Sequence, residues 1–159
     1  MEKKEILKEL EHQFAEKITA TSSDFGDDTL IIDRKSLLEV VQFLKQKPYE
    51  YSMLLDLTCV DHMGREPRFE MVYHFFSLTA KHRLRIKVPL SENDLSIESL
   101  ASIWKNANWL EREVYDMFGV SFTGHPDMRR LFMYDGFEGF PLRKDYPLRK
   151  RQPRIRLRK

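Results

Sequence analysis

Arg83-Leu84-Arg85-Ile86-Lys87-Val88 alternates a cation with an aliphatic residue. In an extended chain successive side chains point to opposite faces, so this stretch predicts a strand with one apolar and one wet face. Met53 to Val60, mostly aliphatic, and Phe69 to Leu78, rich in aromatic residues, precede it as two further strands. Asp61-His62-Met63-Gly64-Arg65-Glu66-Pro67 supplies the Gly and Pro of a turn, and Thr79-Ala80-Lys81-His82 is short enough for a hairpin. The three strands therefore read as an antiparallel meander.

Helical periodicity flanks the meander on both sides. Leu7, Leu10, Phe14 and Ile18 form one apolar stripe across residues 2–18, which Ser22, Ser23, Gly26 and Asp27 then break. Thr29 to Ile32 predicts a short strand, and Asp33 caps a helix whose Leu37, Leu38, Val41 and Leu44 form the next stripe until Pro48 stops it. Further on, Ser96 caps a helix carrying Ile97, Leu100, Ile103 and Trp104. Asn108 caps another that runs through Phe118, with Gly119 suited to the left-handed position after it. Helices packed on a mixed, largely antiparallel sheet define a two-layer α+β domain. At 159 residues the chain is one domain long and buries about 70% of its unfolded surface.

From Gly119 the periodicity fades. Gly119, Gly124, Pro126, Gly136, Gly139, Pro141 and Pro147 punctuate a stretch that also holds Phe122, Leu131, Phe132, Tyr134, Phe137, Phe140 and Tyr146. A long irregular stretch with that many aromatics needs a surface to lie on. We therefore expect an α+β core over residues 1–121 and an extended segment with a basic tail over 122–159. The net charge of +2 conceals this division: residues 143–159 hold nine Lys or Arg against one Asp, leaving −6 on residues 1–142. Such a tail is either solvated or lies on nucleic acid, anionic lipid or an acidic protein.

No apolar run reaches the 18 or so residues that span a bilayer, and no signal-peptide core follows Met1, so the chain reads as neither secreted nor membrane-spanning. The single Cys59 forms no internal disulfide and, among Leu57, Thr58 and Val60, reads as a small buried residue of a reducing compartment. No phosphate loop, dinucleotide fingerprint, paired Cys motif or nucleophile elbow occurs, so no cofactor of its own is expected. Glu111, Glu113, Asp116 and His125 offer a carboxylate and histidine metal site. On a helix, however, Glu111 and Glu113 diverge by about 200°, and Arg112 competes for Glu113 and Asp116. The favoured expectation is an ion-pair set of Arg112, Glu113 and Asp116 beside a partner surface. His62, His74 and His82 read as hydrogen-bonded structural residues.

Three blocks of sequence carry a family resemblance. The first runs from Glu111-Arg112-Glu113-Val114-Tyr115-Asp116-Met117-Phe118-Gly119-Val120 through Phe122 and Gly124-His125-Pro126-Asp127 to Arg129-Arg130. The second is Pro67-Arg68-Phe69-Glu70-Met71-Val72-Tyr73-His74-Phe75, leading into Arg83 to Pro89. The third is Gly136-Phe137-Glu138-Gly139-Phe140-Pro141-Leu142-Arg143-Lys144-Asp145-Tyr146-Pro147-Leu148. Together they resemble the family of the unfused C subunit of the proton-pumping NADH-quinone oxidoreductase, respiratory complex I.

The resemblance implies a non-catalytic member of the hydrophilic arm, peripheral on the cytoplasmic face of the bacterial cell membrane. It implies no flavin, iron-sulfur cluster or quinone ligand on this chain, the whole complex using FMN, iron-sulfur clusters and quinone. The implied partner is the D subunit, the large quinone-site subunit that lines the quinone cavity and on which the C-terminal segment wraps, with neighbouring arm subunits around it. The homologous subunit of a membrane-bound hydrogenase, a coenzyme F420-oxidising dehydrogenase or the photosynthetic plastoquinone-reducing complex is the nearest alternative. From another class, the basic tail suits a stand-alone RNA-binding protein.

Overall fold

The computed structural model describes residues 3–149 and Gln152, with side chains described from Ile6 onward. Of the basic tail, residues 150, 151 and 153–159 lie outside the described residues. Ten elements follow in order: α1 (Lys3–Gln13), β1 (Ile18–Asp24), β2 (Asp27–Ile32), α2 (Leu37–Lys45), β3 (Met53–Asp61), β4 (Phe69–Ser77), β5 (His82–Leu90), β6 (Ser96–Glu98), α3 (Ala107–Phe118) and β7 (Ser121–Thr123). A short 3-10 turn, Arg34–Ser36, leads into α2.

Strands β3, β4 and β5 form the predicted meander, with Leu57 opposite Tyr73 and Tyr73 opposite Ile86. The sheet continues through β2, parallel to β5, and β1, antiparallel to β2, giving the order β1-β2-β5-β4-β3. Along β5 the alternation holds: Leu84, Ile86 and Val88 are buried, whereas Arg83 is exposed and Arg85 and Lys87 are half-buried. Burying each of these aliphatic side chains contributes about 1.5–3 kcal/mol. They join Leu10 of α1, Leu37, Val40 and Leu44 of α2, and Val114 and Phe118 of α3 in one core. The mixed, largely antiparallel α+β architecture matches the expectation.

Polar groups inside this core are paired, with the Tyr73 hydroxyl the exception among the described residues. His82 Nε2 donates to Asp28 at 2.8 Å, while its Nδ1 accepts the Tyr51 hydroxyl at 2.6 Å. This ties the start of β5 to β2 and to the segment before β3. Burial pushes the Cys59 thiol up to about 12, so at neutral pH it behaves as a small apolar residue.

Three expectations are corrected. The first helix ends at Gln13, and Ile18 to Asp24, expected as a break, is strand β1, paired with β2 through a two-residue turn at Phe25 and Gly26. Residues 96–104 are not a helix: Ile97 pairs with Phe122 in the small parallel sheet of β6 and β7, and the chain then turns. Its apolar positions still reach the core, where Ile97, Leu100 and Trp104 are buried. The third helix starts at Ala107 rather than after Asn108, because the Asn106 side chain is committed to the Leu54 carbonyl at 2.8 Å and the chain turns there.

Candidate partner-binding site

Helix α3 organises the site. Its inner side buries Ala107, Val114, Met117 and Phe118 together with two carboxylates, Glu111 and Asp116, and its outer side carries Trp109, Arg112 and the exposed Glu113. Asp116 is fully buried, and its Oδ2 accepts the backbone N–H groups of Leu131, Phe132 and Met133 at 3.0, 2.8 and 2.9 Å. Its Oδ1 accepts Arg130 Nη1 at 2.8 Å. Burial alone would raise this carboxyl, but the backbone donors and the guanidinium outweigh it and hold the group below the usual carboxylate range. One side chain thus fixes the path of residues 130–133.

Glu111 presents the opposite balance. Its two oxygens accept the Ser99 hydroxyl and the Leu100 N–H, each at 2.6 Å. These bonds pull residues 99–101 into a turn, which is why the apolar spacing there does not become a helix. Burial dominates over both hydrogen bonds and pushes the Glu111 carboxyl up to about 7. His125 lies 3.9 Å away with its side chain fully enclosed. Its Nδ1 accepts the Asp127 N–H at 3.0 Å, so its proton sits on Nε2 and points at the Asn108 carbonyl, 3.1 Å away.

The expected Arg112, Glu113 and Asp116 set does not form. Arg112 donates to the carbonyls of Arg129 and Arg130 at 3.0 and 3.2 Å and lies over the Trp109 ring at 5.0 Å, while Asp116 takes Arg130 instead. The helix turns Arg112 outward, and the loop that follows brings backbone acceptors to it. Asp127 pairs with Arg129 at 2.6 Å on the surface. Among the described residues no group of His, Cys, Asp and Glu gathers to hold a metal ion.

The end of α3 is closed by the extended segment. Gly119 takes φ +79, and its N–H returns to the Tyr115 carbonyl as the sequence predicts. The Leu142 N–H reaches the Met117 carbonyl at 3.1 Å, and Arg143 Nε reaches that of Phe118 at 2.6 Å. Carbonyls that a helix end leaves without intrahelical donors are thereby satisfied by residues more than twenty positions away. A Cβ on Gly119 would stand 2.6 Å from the Phe140 ring and 2.8 Å from Arg143, so the approach needs glycine. Gly124 and Gly136 serve turns instead, at φ +80 and +88.

Guanidinium groups and rings then interleave. Arg130 lies over Phe137 and Phe140 at 5.8 and 5.5 Å, Arg143 over Phe140 and Phe69 at 4.5 and 5.2 Å, and Phe137 stacks on Tyr146 at 6.2 Å. Gly139 lets Tyr146 close in, since a Cβ there would be 3.0 Å from its ring. Several aromatics expected to need a partner chain therefore find their contacts within this one. Pro141 is half-buried, and Pro126 and Pro147 are exposed at bends of the segment.

Arg68 forms the second anchor, a role that its place in a sequence motif does not disclose. It binds the buried Asp61 through two bonds of 2.9 Å, Glu92 at 2.6 Å and Asp145 at 3.0 Å, while the Lys144 N–H joins Asp61 at 2.8 Å. Hydrogen bonding to Arg68 lowers both Asp61 and Asp145. The available signal was the Arg in Pro67-Arg68-Phe69, across a turn from Asp61 at the end of an apolar strand.

Residues 30–152 match the family described as respiratory-chain NADH dehydrogenase, 30 Kd subunit. The chain belongs to this family, whose members are subunits of an oxidoreductase complex. It is 43% identical over 139 residues to the C subunit of the NADH-quinone oxidoreductase of Geotalea uraniireducens, covering 87% of this chain and 84% of that protein. It is also 43% identical over 151 residues to the C/D subunit of the NADH-quinone oxidoreductase of a Psychrobacter species, covering 91% of this chain and 25% of that protein. Among solved structures, the trypsin-resistant fragment 1–134 of Nqo5 is 29% identical with a TM-score of 0.69, covering 77% of this chain and 98% of that one.

Proposed function

We propose that the chain is a non-catalytic hydrophilic-arm member of NADH-quinone oxidoreductase that binds the D subunit, which carries the quinone site. Its surface for that partner is the outer side of α3 together with residues 124–149, and its role is to support electron transfer from NADH to quinone coupled to proton translocation. The observation that carries this reading is exposure without freedom. Trp109 and Phe132 are 60% and 62% exposed, yet the first is fixed on α3 beneath Arg112 and the backbone of the second is held by the bond from its N–H to Asp116. Rigid aromatic anchors bind a partner with little loss of conformational entropy.

The name of the Psychrobacter relative joins C and D in a single protein, which supports D as the partner. In this reading FMN, iron-sulfur clusters and quinone belong to other members of the complex. Among the described residues no helix is long and apolar enough to cross a membrane; in this reading the chain is held peripherally, on the cytoplasmic face of the bacterial membrane, by its partners. Residues 1–121 serve as the core and 122–159 as the partner segment, with Phe122 still pairing in β7.

The test is affinity purification of the tagged chain in mild detergent, wild type beside the Trp109→Ala, Phe132→Ala double variant. We expect the quinone-site partner to co-purify with wild type and to be depleted at least tenfold with the variant, while circular dichroism and melting of the isolated chain stay unchanged. Normal recovery of that partner with the variant would sink the assignment of this surface.

A further inference from the structure

A second exposed apolar group lies at the end of the sheet away from Arg68. The β1–β2 hairpin turns on Phe25 and Gly26, at φ +55 and +86, between the facing residues Asp24 and Asp27. Positive φ at both central positions suits a two-residue hairpin turn, because its twist matches that of the strands. Gly26 adopts this freely. Phe25 does not, since a Cβ in the left-handed region crowds the following carbonyl. The Phe25 side chain is also fully exposed, so no packing of its ring inside the chain offsets the backbone strain.

Phe25 has company at this end. Leu55 near the start of β3 and Leu78 after β4 are 42% and 62% exposed, and a cleft of about 340 Å³ opens there between Leu55, Asp56, His74 and Arg85. The nine residues of β3 separate this end from Asp61 and Arg68. At about 3.3 Å per residue that is roughly 25 Å, so the hairpin tip lies far from the Arg68 anchor that holds residues 144 and 145. The hairpin itself is one-sided in charge, since Ile18 to Asp33 contains four Asp and neither Lys nor Arg, while Arg83 and Arg85 line the cleft beside it. Asp28 is spent on His82 and Ser23, and Asp27 meets Arg85 at 3.3 Å, which leaves Asp24 exposed beside the ring.

We infer that the hairpin tip is a second protein-docking element, in which Phe25 enters an apolar slot rimmed by Lys or Arg on another polypeptide. The ring supplies buried area and the acidic flanks select the rim. Strain held at an exposed aromatic is offset only when a partner covers it.

Photocrosslinking in the assembled complex tests this, with benzoylphenylalanine at position 25 in one full-length chain and at position 132 in another. We expect the probe at 25 to yield an adduct with a different polypeptide, mapped beside Lys or Arg. Phe25→Asn should raise the melting temperature of the isolated chain by about 2–4 °C, since Asn tolerates the turn, while retention of that variant in the complex at raised salt falls several-fold. No adduct at 25, an adduct only with a second copy of this chain, or one mapped among acidic residues overturns the inference. So does unchanged retention of Phe25→Asn. The probe at 132 reads the quinone-site partner separately, so either proposal can fail while the other stands.

Discussion

Glu111 and Asp116 sit on one helix, are equally inaccessible to solvent, and are held in opposite states. Asp116 has three backbone donors and a guanidinium, and stays below the ordinary carboxylate range. Glu111 has one hydroxyl and one N–H, and burial lifts it to about 7. Both are closed to solvent, but Glu111 lies deeper in the protein, so heavier desolvation and fewer, uncharged donors act together to raise it, whereas the donors of Asp116 prevail. The difference also divides labour along α3: Asp116 secures the segment proposed to face a partner, and Glu111 shapes a turn inside the core.

The strongest way to break this comparison is to remove the donors of Asp116 by truncation. A chain ending at Gly124 lacks Arg130 and the amides of residues 131–133, and so strands a buried carboxylate. A chain ending at Met133 keeps them all. We expect the shorter chain to be about 3–5 kcal/mol less stable than the longer one in urea denaturation. Equal midpoints would mean that Asp116 does not depend on the segment. The informative cut therefore lies past Met133, because Asp116 accepts from residues up to that position.

Glu111 makes the comparison pH-dependent. Its carboxyl is raised from 4.5 to about 7, so between these values the folded state holds more protons than the unfolded state and stability falls as pH rises. Asp116, being lowered, acts in the other direction: its contribution is present above the ordinary carboxylate range and is lost as pH falls through its folded value. Glu111→Gln removes the titration, because the amide oxygen still accepts the Leu100 N–H and the Ser99 hydroxyl can reverse to accept the amide. We expect the variant to gain up to about 3 kcal/mol over wild type between pH 4.5 and 8, read from urea midpoints across that range. Parallel pH profiles for the two proteins would refute the assignment.

At the far end of the same helix, Gly119→Ala sharpens the contrast between what the helix needs and what the segment needs. The left-handed backbone and the Phe140 and Arg143 contacts both resist a Cβ. A loss of roughly 1–3 kcal/mol is expected in the full chain. In the chain ending at Met133, which lacks Phe140 and Arg143, only the backbone part should remain. Equal losses in the two chains would show that the close approach is immaterial.

The meander was legible because alternation along β5 and the turns around it are local signals. Strand β1 was not, since Thr19, Thr21, Ser22 and Ser23 give an edge strand no apolar face to announce it. The stretch 96–104 misled for a different reason. Its apolar spacing fits a helix, but Glu111, eleven and twelve positions away, takes the Leu100 N–H and the Ser99 hydroxyl. Arg68 was hidden by distance as well, because its partners stand 7 and 77 residues away. Motifs located the segment's residues without revealing that Phe137, Phe140 and Tyr146 are packed within the chain.

Arg112 gives the smallest expected effect and the sharpest revision. As the member of a buried ion-pair set, its removal would cost about 3–5 kcal/mol by stranding carboxylates. The structure gives it no carboxylate: it is half-buried, holds the carbonyls of Arg129 and Arg130, and covers Trp109. The carbonyls it leaves lie near enough to solvent to find water, and Asp116 still fixes the next three residues. Arg112→Ala should therefore lower the stability of the isolated chain by only about 1 kcal/mol. Recovery of the quinone-site partner should fall more than stability does, since Trp109 loses the group that sets its ring. A stability loss near that of the Gly124 truncation would place Arg112 among the buried charges after all. A loss of about 1 kcal/mol with unaltered recovery of that partner would leave Trp109 as an anchor that needs no support from Arg112.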